Sequence, residues 1–158
     1  MKKKDTTEGL IAQNRKAGFN YFLSEFLEVG IELKGTEIKS LRKNGANISD
    51  AYVLFKNGEA FVLNMNIAQY EQGNIFNHEP LRTRKLLMHK REINKYSNMI
   101  QEKGNTILPI KLYIFHGKAK LLIALGKGKK LYDKRETIKQ RDVSREIDKT
   151  IKGNKYND

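Results

Sequence analysis

The sequence predicts a mainly β fold with helices (α+β): a small antiparallel barrel carrying one short helix and one longer helix, followed by a basic C-terminal tail. Three observations carry that prediction. The apolar runs are short and joined by Asn57-Gly58 and His116-Gly117, turn pairs that fold a chain back on itself. The helical segments interrupt these runs irregularly, without the strand–helix–strand alternation of a parallel sheet. Beyond about Leu125 the apolar pattern gives way to a charged extension, in which residues 127–158 hold eleven Lys/Arg against six Asp/Glu.

Residues 1–9 are polar and predicted to be mobile. Tyr21 to Leu33 alternates aromatic and branched residues with acids, a strand with a bulge or bend expected at Gly30. A short helix follows from Gly35-Thr36 to Asn44-Gly45, with Thr36 as its N-cap, Glu37 in the first turn, and Ile38 and Leu41 on one face. Ala51 to Met65 reads as a hairpin whose Asn57-Gly58 pair supplies the positive φ values of a type I′ turn. Its first strand, Tyr52-Val53-Leu54-Phe55, is apolar on both faces, as a wall covered outside by a helix would be. After a loop at Gln72-Gly73-Asn74, the spacing of Leu86, Ile93, Tyr96 and Ile100 predicts a helix over 83–103, stopped by Gly104. A second hairpin places Ile110, Leu112 and Ile114 on one face and returns through Leu121, Ile123 and Leu125. Strands in this order suit a barrel of oligonucleotide-binding type over residues 10–126, flanked by a mobile 1–9 and the tail 127–158.

At 158 residues the chain is long enough for one domain plus extensions. The apolar share of 39% is lean for a core that would occupy all of it. A net charge of +13, of which the tail carries +5, puts cation excess on both parts and points to a polyanion as partner. There is no cysteine, hence no disulfide, thiolate metal site or cysteine nucleophile. No run approaches the roughly 18 apolar residues of a membrane span, and Met1-Lys2-Lys3-Lys4-Asp5 lacks the apolar stretch of a secretory signal. The expectation is a cytoplasmic protein with no membrane partner, no small-molecule substrate and no cofactor.

Catalysis is not expected. His78, His89 and His116 have no metal-ligand spacing, and no serine stands in a triad motif. Gly126-Lys127-Gly128-Lys129 lacks the spacing of a phosphate loop. Four segments suggest binding instead. Asn14-Arg15-Lys16 is either a solvated approach to a strand or a phosphate clamp. Glu37 either favours the helix N-terminus electrostatically or accepts hydrogen bonds from base edges and 2′-hydroxyls. Phe76-Asn77-His78 and the cations Arg82, Arg84 and Lys85 combine a stackable ring, amide, imidazole and charge, as RNA recognition does, or form a loop and a solvated helix face. In the tail, Val143, Ile147 and Ile151 make a thin apolar stripe on a helix too poor in burial to persist alone.

Read together, Asn14-Arg15-Lys16-Ala17, Gly35-Thr36-Glu37-Ile38-Lys39-Ser40-Leu41-Arg42, Tyr70-Glu71-Gln72-Gly73-Asn74, the run from Phe76 to Leu87 and the run from Gly128 to Thr137 resemble the SsrA-binding protein (small protein B) family. The resemblance runs from about Ile11 to Ile151. It departs where the family's Ala-Arg is Ala17-Gly18, one cation fewer. It implies an RNA-binding protein of bacterial trans-translation that binds the tRNA-like domain of tmRNA and delivers it to stalled ribosomes. Elongation factor Tu and alanyl-tRNA synthetase would be functional partners through tmRNA. The resemblance further implies RNA-binding roles for Asn14, Arg15, Lys16, Glu37, Lys39, Asn77, His78, Arg82, Arg84 and Lys127. It implies that Gly128, Lys129, Lys130, Tyr132, Asp133, Lys134 and Arg135 contact the ribosome near the decoding centre. The tail would be disordered when free and helical in an empty message channel, so deletion after Gly126 should spare RNA affinity and abolish tagging. A general single-stranded RNA-binding protein on the same barrel is the alternative.

Overall fold

A computed structural model describes residues 9–71, 77–129 and 135. Seven strands form one antiparallel sheet in the order β1-β6-β7-β2-β5-β4-β3: β1 (Gly9–Gln13), β2 (Tyr21–Ile31), β3 (Tyr52–Lys56), β4 (Glu59–Leu63), β5 (Arg84–Leu87), β6 (Asn105–Phe115) and β7 (Lys118–Gly128). The sheet curls until β3 lies against β6, although no ladder joins them. The barrel therefore has a seam. Its interior holds Val29, Val53, Val62, Leu86, Ile107, Leu112, Leu121 and Ile123, with Leu41 from the second helix and Ile93 and Tyr96 from the third.

Among the described residues three helices decorate the sheet: α1 (Arg15–Asn20), α2 (Gly35–Asn44) and α3 (Lys90–Met99). The α1 helix closes a second, smaller apolar cluster on the outside of the sheet, made of Ala17, Leu108, Ile110 and Ala124. The first hairpin is as expected. Lys56 pairs with Glu59, and Asn57 and Gly58 take φ values of 53° and 73°.

Several expectations need correction. The helix over 83–103 is two elements. Arg84–Leu87 is a strand buried at alternate residues, laddered to both β2 and β4, and only Lys90–Met99 is helical. The two vacant ladder edges on β2 and β4 decide it, overriding the near-helical spacing of Leu86. The "longer" helix is thus ten residues, the same as α2, while α1 and β1 were not foreseen. The bulge in β2 falls at Glu25–Phe26, where the register slips and Glu25 takes φ 52°, not at Gly30. Tyr96 fixes that bulge by donating its hydroxyl to the Glu25 carbonyl (2.6 Å). Thr36 does not cap α2, because its hydroxyl is engaged by His78 and Lys34 takes the N-cap position. A bulge between Pro109 and Lys111 turns Ile110 away from Leu112 and Ile114, into the outer cluster. Tyr52 and Leu54 are exposed, so no helix among the described residues covers the outside of β3. Finally, β7 runs to Gly128, two residues past the expected end of the barrel. The N-terminal segment 1–8, the loop 72–76 and most of the tail lie outside the described residues.

Candidate nucleic-acid interface

The structure gathers the expected site residues into two groups at opposite ends of β2. Eleven residues of strand, bulge included, run between the two groups, a contour of roughly 30 Å.

At the α2 end the central group is Glu37. Its carboxylate is fully buried and accepts from the Lys34 N–H (2.8 Å), from Arg82 Nη2 (2.6 Å) and from Arg84 Nε. Burial pushes this carboxyl up, but the three donors and the Arg84 charge outweigh burial and hold it below its ordinary value of 4.5. Arg84 is fully buried as well, donating to the Met65 carbonyl (2.6 Å) and the Pro80 carbonyl (3.1 Å). Desolvation lowers its pKa, opposed by Glu37.

His78 is buried beside this pair. Its Nε2 lies 2.9 Å from the Ile67 carbonyl, which can only accept, so Nε2 donates, and its Nδ1 is hydrogen-bonded to the Thr36 hydroxyl (2.9 Å). Ser40 donates to the Ala68 carbonyl (2.5 Å), tying α2 to the same segment. Asn77 clasps Tyr70 twice, donating to its carbonyl (2.6 Å) and accepting from its N–H (3.2 Å). Glu37, Arg84 and His78 are therefore committed to the protein's own framework. A fully covered carboxylate presents no acceptor to a base edge. Through these bonds α2 is tied to Ile67, Arg82 and Arg84, and Arg84 to Met65 and Pro80. Arg82, a quarter exposed, and Lys39, exposed and 5.9 Å from the Tyr70 ring centroid, remain at the surface.

At the other end, Asn14 is also internal. Its side chain caps α1 by accepting from the Ala17 N–H (3.2 Å) and donates to the Pro109 carbonyl (3.1 Å). That bonding aims Arg15 and Lys16 outward. The end of β7 lies next to the α1–β2 corner, because β2 starts immediately after α1 and pairs Tyr21 with Gly128 and Phe22 with Lys127. Beside them an open cleft of about 570 Å³, bordered by Lys16, Asn20, Tyr21, Asp50 and Tyr52, sits against the barrel seam. Of the tail residues, Lys127 and Gly128 end β7, Lys129 follows it and Arg135 is exposed; Lys130, Tyr132, Asp133 and Lys134 lie outside the described residues.

A further surface was missed by sequence reasoning. Directly paired residues share one side of a sheet, and the pairs Leu10–Tyr113, Tyr113–Lys120, Lys120–Gly30 and Gly30–Leu87 make an unbroken row across five strands on the barrel's outside. Leu10, Leu87 and the neighbouring Phe115 are 58%, 57% and 54% exposed. The adjacent row pairs Lys111 with Leu122 and Leu122 with Glu28. Burial, and then the hydrogen bond to Glu28 with its charge, push the Tyr113 phenol up to about 12. Gly30 keeps this row low, since a Cβ there would meet the Leu87 side chain at 3.2 Å. The alternation of Lys111, Tyr113, Phe115, Lys118 and Lys120 with inward Leu112, Ile114, Ala119 and Leu121 was the available signal. Stackable rings, aliphatic surface and ammonium groups on one rigid face can engage folded RNA. Among the described residues no helix is long and apolar enough to cross a membrane, and no three His, Asp or Glu side chains gather to hold a metal.

Comparison with known proteins agrees with this architecture. An SsrA-binding protein of Shouchella clausii is 54% identical over 149 residues, covering 94% of this chain and 96% of that one. The SsrA-binding proteins of Enterococcus faecalis and Staphylococcus epidermidis are 53% and 49% identical, over 92% and 96% of this chain and 95% and 97% of theirs. A chain in the solved structure "tmRNA-SmpB: a journey to the center of the bacterial ribosome" superposes with a TM-score of 0.66 at 40% identity, covering 78% of this chain and 87% of that one. The family model described as SmpB protein matches residues 11–153, and the chain belongs to that family.

Proposed function

We propose that this chain binds the tRNA-like domain of tmRNA through its barrel and delivers it to stalled ribosomes for trans-translation, the basic tail reading whether the message channel is empty. It acts in the cytoplasm as a binding protein with no reaction of its own. The observation that carries the reading is the outer row Leu10–Tyr113–Lys120–Gly30–Leu87: a five-strand-wide, rigid, cationic and partly apolar face on a chain of a family whose members are named for binding SsrA.

Rigidity matters because a folded RNA elbow is recognised by shape, and shape recognition needs groups held in fixed relative positions. The buried Glu37–Arg84 pair and the α1 cap supply that rigidity from behind. The tail has the opposite requirement. A polycation that gains structure only against RNA cannot enter a path already filled by message phosphates. The tail proper starts after Lys129, with barrel residues 9–129 upstream.

Competition binding tests the reading. The purified protein should prefer the tRNA-like domain by at least about a hundredfold over a canonical tRNA or an unstructured RNA of equal length. Lys120→Ala and Leu87→Ala should each weaken that binding by about 1–3 kcal/mol with the melting temperature unchanged. Truncation after Lys129, which spares β7, should keep RNA binding and abolish peptide tagging. Equal competition by all RNAs, or normal tagging by the truncated chain, overturns it.

A further inference from the structure

The root of the tail is held by two segments from different parts of the chain, the turn at Gly104 and the α1–β2 corner. The Gly128 N–H donates to the Gly104 carbonyl (3.1 Å), in the turn before β6. The Lys129 N–H donates to the carbonyl of Asn20 (2.9 Å), the last residue of α1. The Lys129 ammonium donates to the Gly18 carbonyl (3.1 Å) and lies 4.8 Å from the centroid of the Phe22 ring, which is half exposed.

We propose that Lys129 is a positioning residue that anchors the tail to the α1–β2 corner, instead of a cation that reaches out to ribosomal RNA. The proposal rests on the tail function proposed above and names what aims that tail. An ammonium is compact and has three donors on a flexible stem, so it can bond a carbonyl and still lie over a ring. The Gly18 carbonyl belongs to the last turn of α1, where a cation meets the negative end of the aligned peptide dipoles. Lys127, two residues earlier on the same face of the strand, is exposed, so the two lysines of Lys127-Gly128-Lys129 have different work.

The consequence is geometric. With Lys129 seated, the chain beyond it leaves from a fixed point beside Arg15 and Lys16. Without it, the end of β7 can peel from β2, and the tether between barrel and tail lengthens. A longer tether lowers the effective concentration of the tail at whatever it must reach.

Amide hydrogen exchange in the free, full-length protein separates an anchor from a ribosome contact, because no ribosome is present. In Lys129→Met the amide at position 129, bonded to Asn20 in the wild type, should exchange about tenfold faster, equivalent to about 1.4 kcal/mol of lost closure, while the Leu121 and Ile123 amides keep their rates. Lys129→Arg, which can donate to Gly18 and stack on Phe22, should restore most of the protection. On stalled ribosomes Lys129→Met should reduce tagging about tenfold and Lys129→Arg should recover it. Unchanged exchange of the amide at position 129 in Lys129→Met overturns the anchor, whether or not tagging falls. Wild-type protein that fails to prefer the tRNA-like domain would sink the proposed function and leave the exchange result interpretable by itself.

Discussion

Replacing Glu37 by Gln tests the framework reading most directly. The carboxylate is wholly buried and answers three donors, the Lys34 N–H, Arg82 and Arg84, and Arg84 is equally buried with no other anion among its bonds. A glutamine keeps the shape, removes the charge and turns an amide NH₂ toward a guanidinium that can only donate. Removing one member of a buried ion pair costs about 3–5 kcal/mol, because the remaining charge stays desolvated. For a domain of this size that lowers the melting temperature by on the order of 10–20 °C. Urea unfolding followed by circular dichroism should show the midpoint fall with an unchanged slope. A pH series adds a second signature. The Glu37 carboxyl is held below its ordinary 4.5 in the fold, so as pH falls through 4.5 the unfolded chain takes up a proton that the folded chain still refuses. The wild type therefore has this stabilisation in full above that range and loses it on acidification, whereas Glu37→Gln should show a flatter acid limb. A variant with a wild-type urea midpoint and a large loss of RNA affinity would refute the argument, since it would mean that the side chain is spent on RNA.

Asn14→Ala should cost about 1–2 kcal/mol in urea unfolding, from the lost cap on α1 and the vacated Pro109 carbonyl, and Asn14→Ser should recover part of it. Wild-type protein should lose stability as pH rises from about 10 toward about 12, because the unfolded chain releases the Tyr113 proton that the folded chain retains. Melting curves of Tyr113→Phe across that range should lack this increment, and identical curves would show that the phenol is not held by Glu28.

What could be read from the residues alone was whatever is decided within a few positions of itself. Asn57-Gly58 demands its own turn, and α2 announces its end at Asn44-Gly45. Arg84–Leu87 resisted reading because nothing local makes it a strand: two ladder edges from β2 and β4, both distant from it in sequence, recruit it. Glu37 resisted for the same reason. Its acidity within a basic stretch was visible, but the arginines that explain it lie 45 and 47 residues away, and a side chain held at that distance in sequence reads as a free one. The outer row was present as an alternation of Lys111, Tyr113 and Phe115 with Leu112 and Ile114, and attention to the inward positions hid it.

The layout has a consequence for how one small domain serves two RNA targets. If both groups of cations lay on one face, binding either RNA would screen and crowd the other, since exposed charges within about 10 Å share a counterion atmosphere at moderate salt. Here β2 separates the α2 end, where Gly30, Leu87 and Lys120 meet, from the α1 end, where Tyr21 pairs with Gly128 and Lys129 is seated, by roughly three such lengths. The two ends are joined by continuous backbone pairing, since β2 and β7 share one ladder from Lys120 to Gly128.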